Sequence, residues 1–140
     1  MSRSVRLAAL FVLALFASAC GGSDTPTSPS VNVPFATIDI RVGTGTEATV
    51  GRTVTVAYVG WLYSTSAAEN KGTQFDSGAF SFTVGSGVIA GFSRGVTGMR
   101  VGGQRRVIIP PDLGYGSAGS PPTIPGNATL VFDIELRTVQ

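Results

Sequence analysis

The sequence predicts an α+β domain in which a strongly antiparallel sheet covers one short helix. Three observations predict it: apolar residues alternate with period two in several stretches, only one stretch carries helical spacing, and glycine-rich or proline-rich breaks separate them. Period-two alternation with one polar face is the mark of half-buried antiparallel strands.

The first twenty residues precede the domain. Arg3 and Arg6 stand before the uncharged stretch "LAALFVLALFASA", which ends in small residues directly before Cys20. That pattern reads as a secretory signal over residues 1–19, since its apolar middle is too short to span a bilayer comfortably. Cys20 is the only cysteine, so no disulfide can form within the chain. "ASAC" resembles the lipobox of bacterial lipoproteins, with Ala17 where leucine is usual, which implies lipid on Cys20 and a place in the bacterial cell envelope, on the periplasmic or surface side. Residues 20–36 then read as a tether, because "GGSDTPTSPS" has too little apolar surface to fold. Loss of Arg3 and Arg6 leaves eight basic residues against eight acids. A near-neutral domain gives no reason to expect a nucleic-acid partner.

Residues 37–140 are expected to form one domain and a monomer. In "ATIDIRV" the apolar set Ile38, Ile40 and Val42 is expected to face the core. In "RTVTVAYVGWL" the set is Val54, Val56 and Tyr58, interrupted by Val59 and Trp61. "QFDSGAFSFTV" places Phe80, Phe82 and Val84 on one face, and Asp76 either opens a surface turn at Asp76-Ser77-Gly78 or sits at the rim of an aromatic pocket. In "GFSRGVTGMRVGG", Phe92, Val96 and Met99 recur at helical spacing, with Gly98 as the terminating left-handed residue. Gly95 weakens this helix, so it must be short and held by packing. "RRVIIP" puts Val107 and Ile109 on one face and stops at Pro110. "TLVFDIELR" closes the sheet with Leu130, Phe132, Ile134 and Leu136 inward.

The chemistry open to such a chain is narrow. There is no histidine, and the one cysteine sits at the processed terminus, so His-based acid–base catalysis, thiol catalysis and a Cys/His zinc site are all excluded. The glycine-rich stretches "GTGTEATVG" and "VGSGVIAG" have neither a Walker lysine nor a complete dinucleotide fingerprint. A pocket without acid, base, metal or nucleophile can still catalyse a reaction in which no covalent bond breaks. Rotation about a peptide bond before proline is one: its barrier is about 18–20 kcal/mol, and its end states differ by only about 0.5–1 kcal/mol.

"VTVAYVGWL", "TQFDSGAFSFTVGSGVIAGF", "GVTGMRVGGQRRVIIPPDLGYG" and "IPGNATLVFDIEL" resemble, in this order and spacing, the FKBP-type peptidyl-prolyl cis-trans isomerases over residues 37–138. The resemblance implies a five- to six-stranded antiparallel sheet wrapped around a short helix, and isomerase activity without cofactor or metal. It implies a catalytic set of Asp76, Tyr115, Tyr58 and Ile89, with Tyr115 and the Ile89 N–H donating to a substrate carbonyl. Phe75, Phe80, Val88, Phe92, Ile124 and Phe132 would line the substrate pocket. The expected partners are proline-containing unfolded or extended polypeptides, macrolides of the rapamycin type and, through Cys20, the membrane. The alternative is a chaperone module that holds proline-containing segments with weak or no catalysis. This chain departs from the family pattern in a short link from Asp76 to Phe80, one residue fewer before Val88, Phe92 where tryptophan is usual, and Ser120 near a loop apex.

Overall fold

The computed structural model describes residues 33–140; the expected signal, Cys20 and most of the tether lie outside them. Five strands form one antiparallel sheet: β1 (Ala36–Arg41), β2 (Thr53–Tyr63), β3 (Lys71–Thr83), β4 (Gln104–Ile109) and β5 (Leu130–Val139), in the order β1-β4-β5-β2-β3. One helix, α1 (Ala90–Val96), packs against β4.

The sheet's inner face and the helix make the core. Val54 and Val56 from β2, Phe82 from β3, Val107 and Ile109 from β4, and Leu130, Phe132, Ile134 and Leu136 from β5 are buried with Phe92 and Val96 of α1. The core and the side chains packed against it all lie between Phe35 and Val139. Residues 33–140 thus carry a hydrophobic core of their own, as an independently folding unit requires.

The helix is brief for a physical reason. A Cβ on Gly91 would come within 2.4 Å of the Ile109 side chain, and one on Gly95 within 2.6 Å of Val107. These glycines lower helix propensity, yet they let the helix backbone settle directly on β4. Gly98 has φ +85°, as its terminating role requires. The helix itself ends at Val96, so Met99 is not part of it: Met99 is buried after the turn, its N–H donating to Val96 O at 3.0 Å and its carbonyl accepting from Ala48 N at 2.8 Å.

Two sequence expectations are corrected. Strand β1 buries neither side: every residue from Thr37 to Arg41 is exposed, Ile38 at 51 % and Ile40 at 46 %, and Val42 just past the strand is 73 % exposed. Asp39 instead pairs in register with Arg105, whose Nε donates to Asp39 Oδ1 at 2.7 Å while its Nη1 reaches Gly95 O and Thr97 O, at the end of α1. Arg105 thus caps those carbonyls while its other side pairs with Asp39 of the edge strand. The turn at Asp76-Ser77-Gly78 is also absent, since β3 runs unbroken from Lys71 to Thr83 with Gly78 opposite Tyr58.

The outer face is held by charge. Arg106 donates to both oxygens of Asp133 at 2.7 and 3.0 Å, Lys71 reaches Asp133 at 2.8 Å, and Glu69 closes the group on Arg106 and Lys71. Burial pushes the Asp133 carboxyl up, but the hydrogen bonds and charges of Arg106 and Lys71 outweigh it and leave it below the usual carboxylate range. Trp61, which interrupted the alternation of β2, lies on this face with Lys71 Nζ 4.5 Å from its ring centroid.

Candidate active site

The site forms where β2, β3 and β5 meet the start of α1, and its floor is a set of contacting rings. Phe92 is the hub: its ring centroid lies 5.2 Å from Phe132, 5.7 Å from Phe80, 5.7 Å from Phe82 and 5.9 Å from Tyr58. Phe75 meets Phe132 edge-on at 5.5 Å, and Tyr58 meets Phe80 edge-on at 5.4 Å. Edge-to-face contacts of this kind add to the burial energy and hold each ring at a defined angle.

A bulge brings Phe75 and Asp76 to the same face. Asp76 pairs with Gly60 and Gln74 with Trp61, so Phe75 is the extra residue between them. Successive strand residues normally point to opposite faces; the extra residue cancels that alternation once. The ring of Phe75 then fits because residue 60 is glycine. A Cβ there would lie 2.7 Å from Phe75 and 2.8 Å from Phe132.

Asp76 is held by two donors. The Tyr58 hydroxyl donates to Oδ2 at 2.6 Å and the Ser77 backbone N–H to Oδ1 at 2.8 Å. Tyr58's own ionisation is pushed up to about 12, first by burial, then by the hydrogen bond to Asp76 and its charge, and last by Tyr115. Tyr58 is thus a neutral donor at any physiological pH, and Tyr115 stands close enough to act on the same hydroxyl.

The remaining sequence-derived residues fall as follows. Tyr115 is 39 % exposed, and among the described residues nothing takes or gives a hydrogen bond at its hydroxyl. Val88 and Ile89 are half-buried against the core, and Ile89 caps the start of α1, its carbonyl accepting from Phe92 N at 3.1 Å. The Ile89 N–H has no acceptor among the described residues. Ile124 is buried, its backbone bridged in both directions to Ser120, which lies midway along the segment between β4 and β5. Cys20 lies outside the described residues.

Sequence reasoning missed two contributors. Gly60 makes the ring packing possible, and its signal was the single glycine in an apolar strand. Ser93 is buried inside α1, and its Oγ accepts from the Gly85 N–H at 2.7 Å, tying the 85–88 loop to the helix. No periodicity marks such a serine.

A family model described as FKBP-type peptidyl-prolyl cis-trans isomerase matches residues 44–137. The chain belongs to that family. It is 43% identical over 107 residues to an FK506-binding protein of Neisseria meningitidis, a match covering 72% of this chain and 92% of the relative. It is 44% identical over 117 residues to FK506-binding protein 4 of Dictyostelium discoideum, covering 79% of this chain but 30% of that longer protein. The chain thus spans about a third or less of several relatives it matches. Among solved structures it is similar to FkpA from Escherichia coli (TM-score 0.65, 36% identity, 76% of this chain and 48% of that one). It is equally similar to a peptidyl-prolyl cis-trans isomerase from Pseudomonas syringae (TM-score 0.65, 31% identity, 76% and 75%). The FKBP-type sheet here has five strands, within the expected range.

Proposed function

We propose that this chain accelerates cis–trans rotation of Xaa-Pro bonds in polypeptides outside the cytoplasm, held to the membrane by lipid on Cys20. The observation that carries the catalytic part is the Tyr58–Asp76 hydrogen bond at the edge of the Phe92 ring cluster, on the helix that Ile89 caps with an N–H that has no acceptor among the described residues. The prolyl ring would sit on the aromatic floor. Twisting the amide destroys its resonance and reduces its charge separation, so apolar walls favour the twisted form relative to water. The Ile89 N–H and the Tyr115 hydroxyl would donate to a substrate carbonyl. Asp76 works as a fixed charge facing the rotating amide; no proton needs to move. Macrolides of the rapamycin type would compete for the same floor.

The test is the cis-to-trans rate of a short Xaa-Pro peptide series with residues 33–140. A rate well above background is expected, lost on adding the macrolide, and reduced about five- to tenfold by Tyr115→Phe, the value of one hydrogen bond of about 1 kcal/mol. A background rate in folded protein that still binds the macrolide would overturn catalysis and leave the reading of a module that holds proline-containing segments. Lipid attachment is tested separately, by the mass of the N-terminal peptide from the membrane fraction.

A further inference from the structure

We infer that the end of the domain carrying β1 is a membrane-contacting face, built to meet an anionic phospholipid surface. Three observations converge there. Ile38 and Ile40 are exposed on the edge strand β1, and Val42, just past its end, is exposed as well. Val42 also lines a cavity of about 150 Å³ whose other walls include Arg41, Arg100 and Arg105, with Asp39 as the one carboxylate among the lining residues. Finally, the chain reaches this strand from Cys20 through residues 21–35, so a lipid on Cys20 would stand at most about 58 Å of extended chain away. The inference rests on the reading that Cys20 is lipidated.

Charge decides what such a surface accepts. Arg105 is committed, to Asp39 at 2.7 Å and to the carbonyls at the end of α1. Arg41 and Arg100 are not: their ion pairs are long and exposed, 3.8 Å to Glu135 and 3.7 Å to Glu47, and neither glutamate lines the cavity. Exposed pairs of that kind contribute little and exchange readily for another anion. Each guanidinium is also fixed by one backbone carbonyl, Arg41 Nε by Gly102 O at 2.8 Å and Arg100 Nη1 by Gly45 O at 3.3 Å, which holds it in place while leaving N–H groups for a phosphate. Aliphatic side chains beside arginines match the boundary between headgroups and acyl chains. Ile40 is the extra residue of a bulge, which twists this edge away from pairing with another strand. The active site, at the other end of α1, would then face away from the bilayer.

The experiment is co-sedimentation of residues 33–140 with vesicles of phosphatidylglycerol and phosphatidylcholine, against phosphatidylcholine alone. Binding only to the anionic vesicles is expected, weakening with salt. Arg41→Ser with Arg100→Ser should weaken it about thirtyfold. Val42→Ser should weaken it further, while peptide isomerisation stays unchanged in each folded variant. Equal binding to both vesicles, or no effect of the arginine changes, overturns the proposal. So does stabilisation by inorganic phosphate without vesicle binding, which would leave an ion pocket only. If Cys20 carries no lipid but the vesicle result holds, the anchor reading fails and the surface stands.

Discussion

Phe75 and Asp76 are neighbours in the chain, yet both face the ring cluster, because Phe75 is the extra residue of a bulge opposite Gly60 and Trp61. One strand thereby delivers a wall and a charge to the same site without spending a loop on either. The arrangement depends on residue 60 having no side chain.

Gly60→Ala should therefore damage the site from within. Its methyl would press on the Phe75 and Phe132 rings at 2.7 and 2.8 Å, and both rings are fixed edge-on by their neighbours. Overpacking of this kind costs about 1–3 kcal/mol. The urea midpoint should fall accordingly, and peptide turnover should fall with it. Unchanged stability together with full turnover would show that the rings yield freely.

Tyr58 should ionise late. Titrated by absorbance, it should lose its proton near pH 12, and Asp76→Asn should bring that value down towards 10 by removing the carboxylate's charge, leaving the effect of burial. The sign for stability follows. Above pH 10 the unfolded chain releases this proton before the folded one does, so the contribution is complete below pH 10 and is lost as pH rises to about 12. Denaturation followed across that window should show a fall that is shallower in Asp76→Asn.

Most strands were legible from alternation because β2 and β5 carry most of their buried apolar residues at period two, as Val54, Val56, Leu130, Phe132, Ile134 and Leu136 show, with Val131 buried out of phase. The same pattern misled at β1. Alternation reports that Ile38 and Ile40 share a strand with polar residues between them; it does not say whether either side meets the core, and this edge strand leaves both sides exposed. The site's residue types were legible from their resemblance to a family. The bulge at Phe75 was not, since a one-residue register shift leaves no mark until the partner strand is known.

Ser93→Ala tests how the Ile89 end of the site is positioned. The Ser93 hydroxyl takes the Gly85 N–H at 2.7 Å from inside the helix, and the loop from Gly85 leads directly to Val88 and Ile89. Alanine fits the space but leaves that N–H without its acceptor, a loss of about 1–3 kcal/mol where it is shielded from water. The consequence should be local. Hydrogen exchange at Gly85 should quicken more than at Val107 in the core, and KM for peptide should rise while kcat changes little, because the Ile89 N–H would meet the substrate from a looser loop. An equal rise in exchange at both positions would instead mean that Ser93 supports the whole fold and has no particular hold on the site.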